Sequence, residues 1–129
     1  MKSAYIIIAH GSRDEESNRD FLDLVAKFRR LHGKTAVEPA FLDLCRPSVS
    51  DALKAVMSQE VGEVYILPMM LFPGRHVKED IPNLIQQAKM EHPSVDFHYA
   101  GPLSGQPMLL KLLQEQADSV TKKAVKTRV

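Results

Sequence analysis

The spacing of apolar and polar positions changes several times along the chain, and each change marks an element. Tyr5-Ile6-Ile7-Ile8-Ala9 is a short continuous apolar run and predicts a strand over 4–9. Phe21, Leu24, Val25 and Phe28 then fall at i, i+3, i+4 and i+7, which predicts a helix over 15–32. Gly33 suits the left-handed position just beyond its end. A second strand is predicted over 35–42, and Pro39 inside it cannot donate to a ladder, which places that strand at a sheet edge. Ser48 and Asp51 are spaced as a capping pair for a helix over 47–59. The longest apolar run, 63–72, predicts a central strand buried on both faces. A helix over 80–91 follows, with Asp80 near its cap and Pro82 in its first turn, where a missing N–H costs little. A strand over 95–100 precedes a last helix that starts near Pro107 and carries Leu109, Leu110, Leu112, Leu113 and Val120. The basic stretch 122–129 is expected to fray.

Strand and helix alternating with short connections predict an α/β fold, a parallel sheet with helices on both faces. Right-handed crossovers, an edge position for strand 2 and a central one for strand 3 favour the order 2-1-3-4. Strands 1 and 3 are then neighbours. The chain order reverses beside strand 1, where open sheets of this kind bind ligands at their carboxyl edge.

That edge collects the candidate chemistry. Strand 1 runs into His10-Gly11-Ser12-Arg13, and strand 3 runs into Pro73-Gly74-Arg75-His76. Asp43 follows strand 2. Two imidazoles and a carboxylate can hold a divalent first-row metal, and an imidazole also accepts protons near neutral pH. Arg13, Arg46, Arg75 and Lys78 occupy the same loops and suit an anionic ligand.

Composition narrows the partners. The 129 residues form one domain, 1–129, with 44% hydrophobic and 26% charged residues. A net charge of +1 offers no strong attraction to nucleic acid. No run approaches a membrane span, and the first residues enter a strand without the apolar stretch of a signal peptide. A single cysteine, Cys45, excludes an internal disulfide and a Cys-rich zinc site. The expected compartment is the cytoplasm.

Three segments in order carry a family resemblance: His10-Gly11-Ser12-Arg13, Phe41-Leu42-Asp43-Leu44 with Pro47-Ser48, and Gly74-Arg75-His76-Val77-Lys78-Glu79-Asp80-Ile81-Pro82. Together they resemble the CbiX-type sirohydrochlorin chelatases, in their short, single-unit form. The resemblance implies a homodimer that inserts Co²⁺, or alternatively Fe²⁺ or Ni²⁺, into the acidic macrocycle sirohydrochlorin. The metal is then a substrate, with no permanent cofactor. It implies that His10 is the proton acceptor and a metal contact, that His76 is the second metal contact, and that Asp43 takes the place of a third. It implies substrate contacts from Arg46 and from Leu71, Phe72, Pro73, Gly74 and Arg75 in the loop 71–76, and Arg13 is expected to join them as a basic residue of the same edge. The chain departs from the family twice. Asp43 stands where Glu is common, and Arg46 stands where an acid is frequent. The histidine-rich stretch of some members is also lacking.

Two other readings compete. One is a non-catalytic tetrapyrrole or metal carrier, motivated by Asp43 and Arg46. The other is a phosphohydrolase using His10, although the histidine-phosphatase pattern places Arg where this chain has Ala9. Ser12 lies outside any G-x-S-x-G nucleophile elbow.

Overall fold

Four parallel strands form the sheet: β1 (Ser3–Ala9), β2 (Ala36–Phe41), β3 (Glu63–Pro68) and β4 (Asp96–Tyr99), in the order β2-β1-β3-β4. This computed structural model describes residues 2–128, with side chains through residue 122. The expectation for 122–129 therefore falls largely outside the described side chains. Helices α1 (Glu15–Leu31), α2 (Val49–Met57), α3 (Ile81–Glu91) and α4 (Met108–Arg128) complete the alternation. Both the strand order and the edge position of β2 agree with the sequence reading, and Pro39 sits opposite Ile7 on that edge strand.

Successive strand residues point to opposite faces, so one strand feeds two cores. Ile6 and Ile8 join Ala52 and Val56 of α2, Ile66 of β3, and Ile81 and Ala88 of α3. Ile7 turns the other way and packs with Phe21 and Val25 of α1 and Val37 and Phe41 of β2. Local signals place the helix ends. Asp14 caps α1 by accepting from the Glu16 N–H at 3.0 Å. Ser48 and Asp51 form a reciprocal capping box on α2. Gly33 takes the left-handed conformation expected of it, with φ +58°.

Three features differ from expectation. β3 ends at Pro68 rather than at residue 72. The Met69 N–H still bonds the Ile8 carbonyl at 2.7 Å, but the Met70 and Leu71 carbonyls accept from Leu103 and Ser104 in a short 3-10 turn, Leu103–Gly105. These bonds draw the chain off the sheet and leave Leu71 and Phe72 exposed. β3 is also buried on alternate residues only, Val64, Ile66 and Pro68, so its second face is half open. Finally, helix begins before α3. A π-helical turn spans His76–Asp80, and Asp80 lies in helical conformation without capping anything.

Candidate functional site

β1 and β3 are hydrogen-bonded neighbours, with Ile8 opposite Pro68, so the loops beyond them leave the sheet side by side. His10 follows β1 directly. His76 arrives eight residues after β3, through the exposed segment containing Leu71 and Phe72, and opens the π-helical turn. The two imidazoles meet: His10 Nε2 and His76 Nε2 lie 2.9 Å apart, with ring centroids 4.5 Å apart and the rings inclined at 68°. Both are solvent-accessible.

Each ring is held from behind. His76 Nδ1 lies 2.6 Å from Asp80 Oδ2, and His10 Nδ1 lies 3.1 Å from the Gly11 carbonyl. The π-helical turn places His76 and Asp80 at i and i+4, on one face. Such single π turns inside helices occur often at functional sites. The turn is anchored in its turn by Tyr99 of β4, whose hydroxyl donates to the Val77 carbonyl at 3.0 Å. Burial pushes the Tyr99 hydroxyl upward in pKa, consistent with a protonated donor there.

The proton inventory of this chain of contacts is informative. Two neutral imidazoles carry two N–H protons, while Asp80–His76, His76–His10 and His10–Gly11 are three hydrogen bonds. With Asp80 accepting from His76 Nδ1, the lone pair of His76 Nε2 points at His10. The pair can therefore hold a shared proton, or a cation in its place.

Asp43 is brought to the same edge. Its backbone N–H donates to the His10 carbonyl at 3.1 Å, and its side chain accepts from the Leu44 N–H at 2.8 Å. A cavity of about 440 Å³ is lined by Asp43, His76, Asp80 and Asn83. Gly11 makes this approach possible: at φ +97°, a Cβ there would stand 2.1 Å from the Asp43 carbonyl oxygen. Among the described residues, no three His, Cys, Asp or Glu side chains converge as a ready metal cage. The histidine pair and Asp43 share an edge without closing around one point.

The basic residues are placed less directly. Arg46 makes a two-point ion pair with Asp51, Nε to Oδ2 at 3.0 Å and Nη2 to Oδ1 at 2.7 Å. The guanidinium and the Ser48 N–H hold the Asp51 carboxyl well below the usual carboxylate range. Arg75 pairs with Glu79 at 3.3 Å across one helical turn, and Arg13 is exposed. Pro73 and Gly74 are exposed in the loop between them and the apolar residues Leu71 and Phe72. Sequence reasoning missed Asp80 as a partner of His76, because an acid before a helix reads as a cap. The i, i+4 spacing of His76 and Asp80 is the signal that could have found it. Tyr99 carried no local signal at all.

Fold and site together define a class: a parallel α/β domain with an open histidine pair, backed by a carboxylate, at the switch point of its sheet. The CbiX family model matches residues 4–120, and the chain belongs to that family. Among relatives, it is 36% identical over 111 residues to a chloroplastic sirohydrochlorin ferrochelatase of Arabidopsis thaliana, covering 86% of this chain and 49% of the relative. It is 33% identical over 134 residues to a sirohydrochlorin cobaltochelatase of Priestia megaterium, covering 100% of this chain and 43% of the relative. The chain thus spans about half the length of these curated relatives. Among solved structures, the sirohydrochlorin chelatase SirB from Bacillus subtilis subspecies spizizenii in complex with cobalt superposes with a TM-score of 0.73 at 27% identity, covering 80% of this chain and 44% of that one.

Proposed function

We propose that this chain is a sirohydrochlorin chelatase, a single chelatase-like domain over 1–129 that works as a cytoplasmic homodimer and inserts Co²⁺ into the macrocycle. The observation that carries the reading is the open His10–His76 pair, 2.9 Å between Nε2 atoms, with Asp80 behind it. No helix among the described residues is long and apolar enough to cross a membrane.

The reaction replaces two pyrrole N–H protons by one divalent ion, so charge balances when two protons leave. Each residue then has a task. Leu71 and Phe72, exposed beside the pair, offer an apolar wall for a flat ring. Arg13, Arg75 and, once it leaves Asp51, Arg46 can meet carboxylates on the ring's rim. His76, fixed by Asp80, presents an Nε2 lone pair to the incoming ion, and His10 contributes the second. Metal–nitrogen bonds of about 2.1 Å at a tetrahedral angle place two nitrogens roughly 3.4 Å apart, so the nitrogens must part by about half an ångström and each ring must tilt to turn its lone pair off the line between them. Two protein ligands, with Asp43 within the same cavity wall, hold a metal loosely, as befits a substrate that must leave. As the ion passes to the macrocycle, His10 Nε2 is freed to accept one pyrrole proton, and the second leaves to the solvent that reaches the open pair.

The choice of Co²⁺ rests on the cobaltochelatase relative and the cobalt-bound structure. The ferrochelatase relative supports Fe²⁺ as the alternative. Mixing purified protein with sirohydrochlorin and Co²⁺, Fe²⁺ or Ni²⁺, and following the visible spectrum, tests both. The expected result is repeated turnover, fastest with Co²⁺. Stoichiometric binding without turnover would establish a carrier instead, and no acceleration with any of the metals would end the proposal.

A further inference from the structure

Pro82 lies inside a continuous helical path, because the π-helical turn His76–Asp80 runs directly into α3. Its missing N–H therefore leaves one helical carbonyl without a donor. The hydrogen bonds identify which one. The Ile81 N–H donates to the His76 carbonyl, five residues back, rather than to Val77, four back. In that register the next donor, at position 82, would serve the Val77 carbonyl, and proline has none to give. Val77 is buried, where an unpaired carbonyl is costly. The donor comes instead from another element: the Tyr99 hydroxyl of β4 reaches the Val77 carbonyl at 3.0 Å.

We propose that Pro82 and Tyr99 act as a pair that fixes the helical register behind His76, which makes Tyr99 a positioning residue for the metal substrate. Pro82 opposes the alternative register. In an α-helical turn the Ile81 N–H would move to Val77, and the Pro82 ring would meet the Lys78 carbonyl, four residues before it. The wider turn avoids that approach but strips Val77 of its helical donor, and Tyr99 supplies the replacement. Each residue completes what the other leaves open.

The register bears on the histidine pair. His76 opens the turn and Asp80 closes it, 2.6 Å from His76 Nδ1, so a change of bonding within the turn re-aims the ring that now lies 2.9 Å from His10. Tyr99 is itself fixed by the sheet. It stands opposite Ile66 of β3, and the Ala100 N–H bonds the Ile66 carbonyl at 3.0 Å. β3 pairs in turn with β1, which delivers His10. The Tyr99 hydroxyl thus ties the turn that carries His76 to the same strands that carry His10. The inference rests on the chelatase reading for its metal, but its register is read out without chelatase activity.

Tyr99→Phe keeps the ring and removes the donor. In native-state hydrogen exchange the Ile81 amide should exchange about fivefold faster than in wild type, the equivalent of one net hydrogen bond, while the amides of β1 and β3 keep their rates. Equilibrium dialysis against Co²⁺ without macrocycle, counting only the binding that His76→Ala abolishes, should show a Kd raised about fivefold. The KM for Co²⁺ should follow, and the KM for sirohydrochlorin should not. Pro82→Ala restores an N–H at position 82, so the helix can serve the Val77 carbonyl in either register. Tyr99→Phe added to Pro82→Ala should therefore change neither the exchange rate nor the Kd further. An Ile81 rate unchanged by Tyr99→Phe, an equal acceleration of all amides, an unaltered Co²⁺ Kd, or the same cost in the Pro82→Ala background would each overturn the proposal. Absence of turnover in wild type would instead end the chelatase reading, with the exchange and coupling results still deciding the register.

Discussion

Replacing Asp80 with Asn removes one negative charge and changes almost no volume, and it reports directly on how His76 is held. Asp80 Oδ2 lies 2.6 Å from His76 Nδ1, a short contact to a charged acceptor. Hydrogen bonds to charged groups contribute about 1.5–3 kcal/mol. Both side chains here remain 46% and 43% exposed, so solvent screening puts this one at the low end. About 1.5 kcal/mol corresponds to roughly tenfold in an equilibrium constant. An Asn side chain can also present its NH₂ to Nδ1, which moves the ring proton to Nε2 and removes the lone pair that faces His10. Loss of a carboxylate partner behind a metal-binding histidine typically costs about 10–100-fold in affinity or activity. The expected outcome for Asp80→Asn is therefore a KM for the metal raised about tenfold or more. The KM for sirohydrochlorin and the unfolding midpoint should barely move. Initial rates across a metal titration, with the macrocycle saturating, measure this. Metal kinetics within twofold of wild type would refute the orienting role of Asp80.

Three further outcomes follow from the same geometry. His10→Ala and His76→Ala should each lose most chelatase activity in the spectral assay while keeping wild-type circular dichroism, because both rings are solvent-accessible and outside the core. Gly11→Ala should lower stability by about 1–3 kcal/mol in urea unfolding, since it strains a φ of +97° and drives a Cβ against the Asp43 carbonyl; an unchanged midpoint would mean that the two loops do not touch. Asp51 has a folded-state pKa depressed by Arg46, so its ion pair contributes stability above the ordinary carboxylate pKa of about 3.9 and loses it as pH falls below that value. Thermal melts from pH 7 to 2 should show a shallower acid limb for Asp51→Asn than for wild type.

Much of this architecture is readable from local pattern. The single apolar stripe of α1, the Ser48–Asp51 capping box, Gly33 beyond a helix end and Pro39 on an edge strand are each determined by residues within a few positions of one another. Backbone sterics and hydrogen-bonding capacity are local properties, so sequence alone reports them. The order β2-β1-β3-β4 also follows, because crossover handedness and one forced edge strand leave few alternatives. His10 and His76 could be assigned to one sheet edge on that basis.

Their contact could not. Residues 66 positions apart come within 2.9 Å only because β1 and β3 pair in register, the chain leaves the sheet at Pro68, and a π-helical turn aims His76 back. Asp80 illustrates the limit. The same acid is a plausible cap by sequence and a histidine partner in space, and the choice depends on helix starting four residues earlier than its local signals indicate. The apolar run 63–72 illustrates it again. Hydrophobicity marks a segment for burial but does not say against what, and here part of the run forms the exposed approach to the site. Periodicity is written along the chain, whereas distances between loops are sums over many intervening residues and exist only once the sheet has closed.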